Sequence, residues 1–162
     1  MFARATSRML DDEHRENLAL LGALERTVLD VPAGRCPDEG FAALARTLAR
    51  GIAGEVERHF RFEETQLFPR LDDGGEGDLA ALLAEEHAAI RATASELVPL
   101  LQAAAGGGLD AGGFAKLKPL ALELVERLGA HIHKETLALL PALETLLDDE
   151  TDQMLAFDYA AA

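Results

Sequence analysis

Cysteine is almost missing from this chain: its 162 residues contain one, Cys36. No intrachain disulfide can form, which excludes a disulfide-stapled scaffold and fits a reducing, cytoplasmic location. Basic residues are scarce as well. Lys and Arg number 15 against 29 Asp and Glu, giving a formal net charge of −14. A field of that sign makes nucleic acid and anionic membrane poor partners. No apolar run is long enough to span a bilayer. The opening MFARATSRML lacks the apolar core of a signal peptide and reaches acidic residues by Asp11. No segment alternates apolar and polar residues over a useful length, so strands are not expected. Nor is there an activated Ser or Cys for nucleophilic hydrolysis, or a flavin or nicotinamide motif. What is present is 49% hydrophobic, about one domain in length and enough for one core.

The apolar residues recur at three- and four-residue steps, which predicts four helices. The first covers about Thr6 to Leu29, with a stripe of Leu10, His14, Leu18, Leu21, Leu24 and Val28. VPAGRCPDEG follows as a loop, with Asp38 as N-cap for a second helix over about Glu39 to Leu71. Its stripe is Phe41, Leu44, Leu48, Ile52, Val56, His59, Glu63 and Leu67, and Pro69 should kink or end it. The third helix covers about Asp78 to Ala104, with His87 between Leu83 and Ile90. The fourth covers about Phe114 to Leu140, along Leu117, Leu120, Leu124, Leu128, His131, Glu135 and Leu139. Pro119 moves its expected start toward Lys118. The expected architecture is all-α, an antiparallel up-down four-helix bundle over residues 1–147. Residues 148–162 form an acidic C-terminal tail, read as a short extra helix followed by loose chain, with Phe157 and Tyr159 as candidates to cover the bundle end.

Two stretches in this pattern match each other. HFRFEETQLFP, from His59 to Pro69, returns as HIHKETLALLP, from His131 to Pro141. Upstream, Glu13-His14 returns as Glu86-His87. From 14 to 87 is 73 residues, and from 59 to 131, 63 to 135 and 69 to 141 is 72 each. Such agreement reads as an internal duplication of a helical hairpin, each half carrying one His and then one His-x-x-x-Glu.

Four residues along a helix turn roughly 400°, so His59 and Glu63 leave one face, as do His131 and Glu135. Six polar residues therefore lie on core stripes: His14, His59, Glu63, His87, His131 and Glu135. Burying an unpaired carboxylate costs several kcal/mol or shifts its pKa until it neutralises. Two buried glutamates among four imidazoles call for compensating positive charge, and a metal pair supplies it; the alternative is a satisfied imidazolium–carboxylate network. Imidazole with carboxylate suits iron, manganese or zinc. A Glu and a His from different helices meeting in a bundle is how di-metal carboxylate sites are built. His133 points about 200° from His131, toward solvent. Glu64, about 140° off the seam, reads as a surface group or a support for a ligand. Glu13 and Glu86 lie about 100° from their neighbouring histidines and read as helix-surface charge rather than as orienting groups.

With these motifs the chain resembles the hemerythrin-like, HHE cation-binding domains. The resemblance runs from His14 to about Pro141 and rests on the initial His, HFRFEETQLFP, EEH and HIHKETLALLP. It implies a non-haem di-iron centre in a four-helix bundle. By that resemblance His14 and His59 hold one iron and His87 and His131 the other, with Glu63 and Glu135 bridging them beside an oxo or hydroxo group. One departure stands out. Oxygen-carrying hemerythrins have a further histidine one turn after the third-helix ligand, where this chain has Arg91, and their final carboxylate is spaced one residue further than Glu135. Reversible oxygen carriage is thus put in doubt. Arg91 is expected to reach past the stripe to solvent, with an ion pair or a gate as alternatives. The functions in view are binding or sensing of oxygen, nitric oxide, peroxide or iron; a small redox enzyme that dismutates peroxide or detoxifies nitric oxide or peroxide; and a structural zinc or manganese site. A small diatomic or peroxide ligand and a protein redox partner go with these, in a monomer or homodimer.

Overall fold

The computed structural model describes residues 1–161 and, for Glu55, the backbone alone. Among the described residues there is no strand. The helices are α1 (Ala5–Asp30), α2 (Phe41–Arg50), α3 (Val56–Phe62), α4 (Phe68–Asp73), α5 (Gly77–Ala105), α6 (Ala111–Lys134), α7 (Leu140–Leu146) and α8 (Asp149–Ala161). Wider π-helical turns at Gly51–Glu55, Glu63–Leu67 and Glu135–Leu139 join several of these end to end. Residues 41–73 therefore run as one rod, as do residues 111–146. With α1 and α5 they make the up-down bundle, and α8 is laid against α1. Among the described residues no helix is long and apolar enough to cross a membrane.

Pro69, expected to kink or end its helix, does not end it, and Pro141 is likewise passed. A proline has no N–H and crowds the carbonyl four residues back. The chain answers each with one widened turn just before it. The Phe68 N–H reaches the Glu63 carbonyl and the Leu140 N–H reaches the Glu135 carbonyl, five residues apart in both cases. A π turn of this kind absorbs the misfit and lets the helix go on. Both turns begin at the glutamates that lie on the core stripes.

Pro119 likewise sits inside α6, which starts at Ala111 and not near Lys118. The Asp110 carboxylate caps it by accepting from the Gly113 N–H at 2.7 Å. Phe114 and Leu117 are buried in that first stretch, and their packing offsets the bond that Pro119 removes. Gly40 rather than Asp38 is the residue flanking α2, although the Asp38 side chain accepts from the Gly40 N–H at 3.1 Å.

Residues 149–161 are helix throughout, where loose tail was expected beyond a short helix. The start of α1 has no cap from its own sequence. The Asp152 carboxylate on α8 takes the Ala5 and Thr6 N–H groups, at 2.7 and 2.9 Å. Glu144 on α7 takes those of Ala3 and Arg4, at 2.7 and 2.9 Å. Donors orphaned at a helix start must find acceptors somewhere, and here the C-terminal helices supply them. Leu155 and Tyr159 are buried beneath α8, whereas Phe157 is 74% exposed and covers nothing.

Two apolar clusters divide the bundle. One gathers Leu21, Leu24, Leu48, Phe60, Ile90, Leu128 and Ile132 among others. The second gathers Leu10, Leu67, Leu83, Leu139 and Leu155 among others. Along every rod the chain passes from one cluster to the other through a polar side chain: His14 on α1, His59 and Glu63 on the second rod, His87 on α5, His131 and Glu135 on the rod that α6 begins.

Candidate metal centre

The polar layer is buried. His14, His59, His87 and His131 are 2%, 5%, 0% and 1% exposed, and Glu63 and Glu135 are fully buried. All six residues picked out on the stripes converge there. Each imidazole turns Nε2 inward and Nδ1 outward. His59 Nε2 stands 3.1 Å from Glu63 Oε1, and His87 Nε2 3.3 Å from Glu63 Oε2. His14 Nε2 stands 3.1 Å from Glu135 Oε2, and His131 Nε2 2.9 Å from Glu135 Oε1. Each glutamate thus gives one oxygen to the His14–His59 side and the other to the His87–His131 side.

These approaches are close without being hydrogen bonds. Both oxygens of Glu63, both of Glu135 and Nε2 of His14 are buried with no aligned donor or acceptor. Nε2 of His87 and of His131 lie 3.0 Å apart, nitrogen facing nitrogen. Buried polar atoms in native interiors are satisfied with few exceptions, and an unpaired carboxylate is among the costliest groups to leave dry. The donor atoms fall into two sets, His14, His59, Glu63 and Glu135, and Glu63, His87, His131 and Glu135, with the atoms of each set within 4.8 Å of one another. A cation in each set would satisfy every orphaned atom, and the nitrogen and oxygen donors fit it.

With protons in place of cations the charges are strained. Burial pushes His87 down, but the Glu135, Glu63 and Glu64 carboxylates outweigh it and carry it up to about 9. His59 is driven the same way, burial again opposing and Glu63 and Glu13 prevailing. His131 follows, with Glu135 and Glu86 outweighing burial. Burial raises the Glu135 carboxyl, yet the crowd of His131, His14 and His87 holds it well below the usual carboxylate range.

The outward Nδ1 atoms are held by residues that sequence reasoning assigned elsewhere. Glu13 and Glu86 are not free surface charge. Glu13 accepts from His59 Nδ1 at 2.9 Å and Glu86 from His131 Nδ1 at 2.9 Å. A residue 100° from the stripe faces the adjoining helix in a bundle, not open water. The Glu-His pair repeated at 13–14 and 86–87 was the signal available in the sequence. Glu64 accepts from His87 Nδ1 at 2.8 Å. Arg91 stays partly exposed and forms the ion pair that was the alternative for it, clamping Glu64 through two nitrogens, at 2.6 and 3.1 Å. His14 Nδ1 meets the Thr136 hydroxyl at 3.2 Å. Lys134 bonds Glu86. Arg58 bonds Glu13 at 2.7 Å and stacks over the Tyr159 ring. Tyr159 donates its hydroxyl to Glu13 at 2.5 Å. His133 stays outside, exposed, on the Gly129 carbonyl at 2.7 Å.

An imidazole whose Nδ1–H is held by an acceptor has a fixed tautomer, with the Nε2 lone pair free for a metal. All four histidines are prepared in this way, and Phe60 stacks on His87 with ring centres 3.6 Å apart, fixing that ring further. No curated protein matches the chain. The family model for the hemerythrin HHE cation binding domain matches residues 5–143, and the His/Glu layer lies wholly inside that span. The chain accordingly belongs to the hemerythrin HHE cation-binding family, and its buried His/Glu layer can hold metal.

Proposed function

We propose that this protein is a di-iron binding protein of hemerythrin type, which binds or senses a small ligand such as oxygen, nitric oxide or peroxide. His14 and His59 would hold one iron and His87 and His131 the other, with Glu63 and Glu135 shared between them. The observation that carries the reading is the split of each buried carboxylate, one oxygen to each histidine pair, with no other partner for either oxygen. Two imidazoles and two carboxylate oxygens per ion leave coordination positions for a small ligand. When bound, iron would supply reversible redox change and affinity for such ligands. The protein's part is to fix the rings, through Glu13, Glu64, Glu86 and Thr136, and to keep the layer buried between two apolar clusters.

The test is metal analysis of protein purified from iron-replete cells. About two irons per chain are expected, with ligand-to-metal charge-transfer absorption in the near ultraviolet. Glu63→Ala or Glu135→Ala should each lose at least one iron and the band. Full occupancy with unchanged spectra in both variants sinks the joining role, and zinc as the native metal sinks the iron reading. Peroxide added to the loaded protein separates binder from enzyme: a stoichiometric colour change marks the former, sustained oxygen release the latter.

A further inference from the structure

The duplicated halves are not backed alike. Positions 64 and 136 correspond at the repeat offset of 72, and positions 18 and 91 at 73. The first half has Leu18 and Glu64 there; the second has Arg91 and Thr136. Glu13 and Glu86, also 73 apart, are matched and do the same work on His59 and His131. The mismatch therefore falls on His87 and His14. His87 donates at 2.8 Å to a carboxylate that Arg91 pins in place. His14 meets a neutral hydroxyl at 3.2 Å, whose own proton goes to the Ile132 carbonyl at 2.9 Å. Leu18 packs on the apolar cluster and offers no cation to hold a carboxylate at position 136.

A charged acceptor makes a stronger hydrogen bond than a neutral one and raises the donor power of the imidazole behind it. The His87–His131 set has two anion-backed rings and the His14–His59 set has one. We infer that the two cation positions are unequal, the His87–His131 position being the tighter, and that Glu64 with Arg91 against Thr136 with Leu18 sets the difference. This rests on the di-metal reading above. It makes the His14–His59 position the one that empties first when metal is scarce, so the protein would pass through a one-metal state within its working range.

The test titrates metal-free chain, checked for native helix content, with ferrous iron alone under anaerobic conditions. Neighbouring cations repel, so stepwise constants in the unmutated protein do not isolate the effect. His14→Ala leaves only the His87–His131 set complete and His87→Ala only the His14–His59 set, so the tighter constant of each variant reports its intact set. The expected dissociation constant is at least about tenfold weaker in His87→Ala, the scale of a lost supporting partner. Adding Leu18→Arg with Thr136→Glu to His87→Ala should recover about tenfold. A pair of swaps that touch no ligand covers the case of a histidine variant that fails to fold. Glu64→Thr with Arg91→Leu should weaken the tighter step about tenfold in the full ligand set, and Leu18→Arg with Thr136→Glu should strengthen the weaker one. Equal constants in the two single-set variants, or swaps that leave the constants unmoved, overturn the inference while the centre itself still binds. No binding by the unmutated chain overturns the di-metal reading along with it.

Discussion

The half of the molecule from His14 to Pro69 and the half from His87 to Pro141 present the same inward side chains in the same order. Each sends in a histidine, then a histidine and a glutamate one turn apart, then a proline preceded by a widened turn. Their surroundings have diverged. In the first half Glu13 is tied to Arg58 and to Tyr159, which arrives from α8, outside either copy. In the second, Lys134 takes that role on Glu86. Phe60 lies flat on His87, while its counterpart 72 residues on is Ile132. The inward side chains thus match between the halves, and the groups that back His14 and His87 do not.

The comparison can be broken or sharpened in four ways. The largest effect should come where the halves are alike: Glu63→Ala and Glu135→Ala should lose bound metal to the same extent, read by metal analysis, since each carboxylate faces both sides. A variant that empties only its own half would show two separate sites. Next, Phe60→Ala should destabilise the metal-free protein by about 3–5 kcal/mol and by more than Ile132→Ala, at about 2–5 kcal/mol, in urea unfolding. Phe60 also stacks on His87, so the reverse ranking would show the ring contact to be incidental. Third, Tyr159→Phe should cost about 1–2 kcal/mol, because it leaves one bond to the Glu13 carboxylate unmade. No cost would mean that Arg58 and His59 already satisfy Glu13.

The smallest effect concerns α8 and depends on pH. Burial raises the Asp152 carboxyl, but the Thr6 and Ala5 N–H groups, with Arg4, outweigh it and hold its pKa below the ordinary value of 3.8. A carboxylate depressed by folding adds stability above its unfolded pKa and loses it as pH falls through the folded one. Asp152→Ala should therefore cost about 1 kcal/mol near neutrality and progressively less below the ordinary value. A cost that stays constant into acid would mean that the charge on Asp152 is irrelevant to the cap.

Some of this was legible residue by residue. The sequence located three of the four long rods to within a few residues and the fourth less closely, because burial imposes a three-to-four spacing that any apolar stripe displays. It located His14, His59, Glu63, His87, His131 and Glu135 because polar residues on such stripes stand out. It overrated Pro119 as a limit on the fourth helix and allowed Pro69 to end the second, since the cost of a lost backbone bond is local while the packing that outweighs it lies on other helices. Glu13, Glu86 and Arg91 were taken for solvent-facing groups for a related reason. A helical angle measures direction about one axis and carries no record of which neighbour stands there.

Periodicity and repeat offset alone thus determined the helical class, the inward residues and the near-symmetry of the centre, because each follows from winding within one segment. Only the tertiary structure decided that Asp152 and Glu144 cap α1, that Tyr159 joins Glu13, and that His87 gets a carboxylate where His14 gets a hydroxyl. Those pairings link residues up to 147 positions apart, and nothing in the local chain encodes distances that only packing closes.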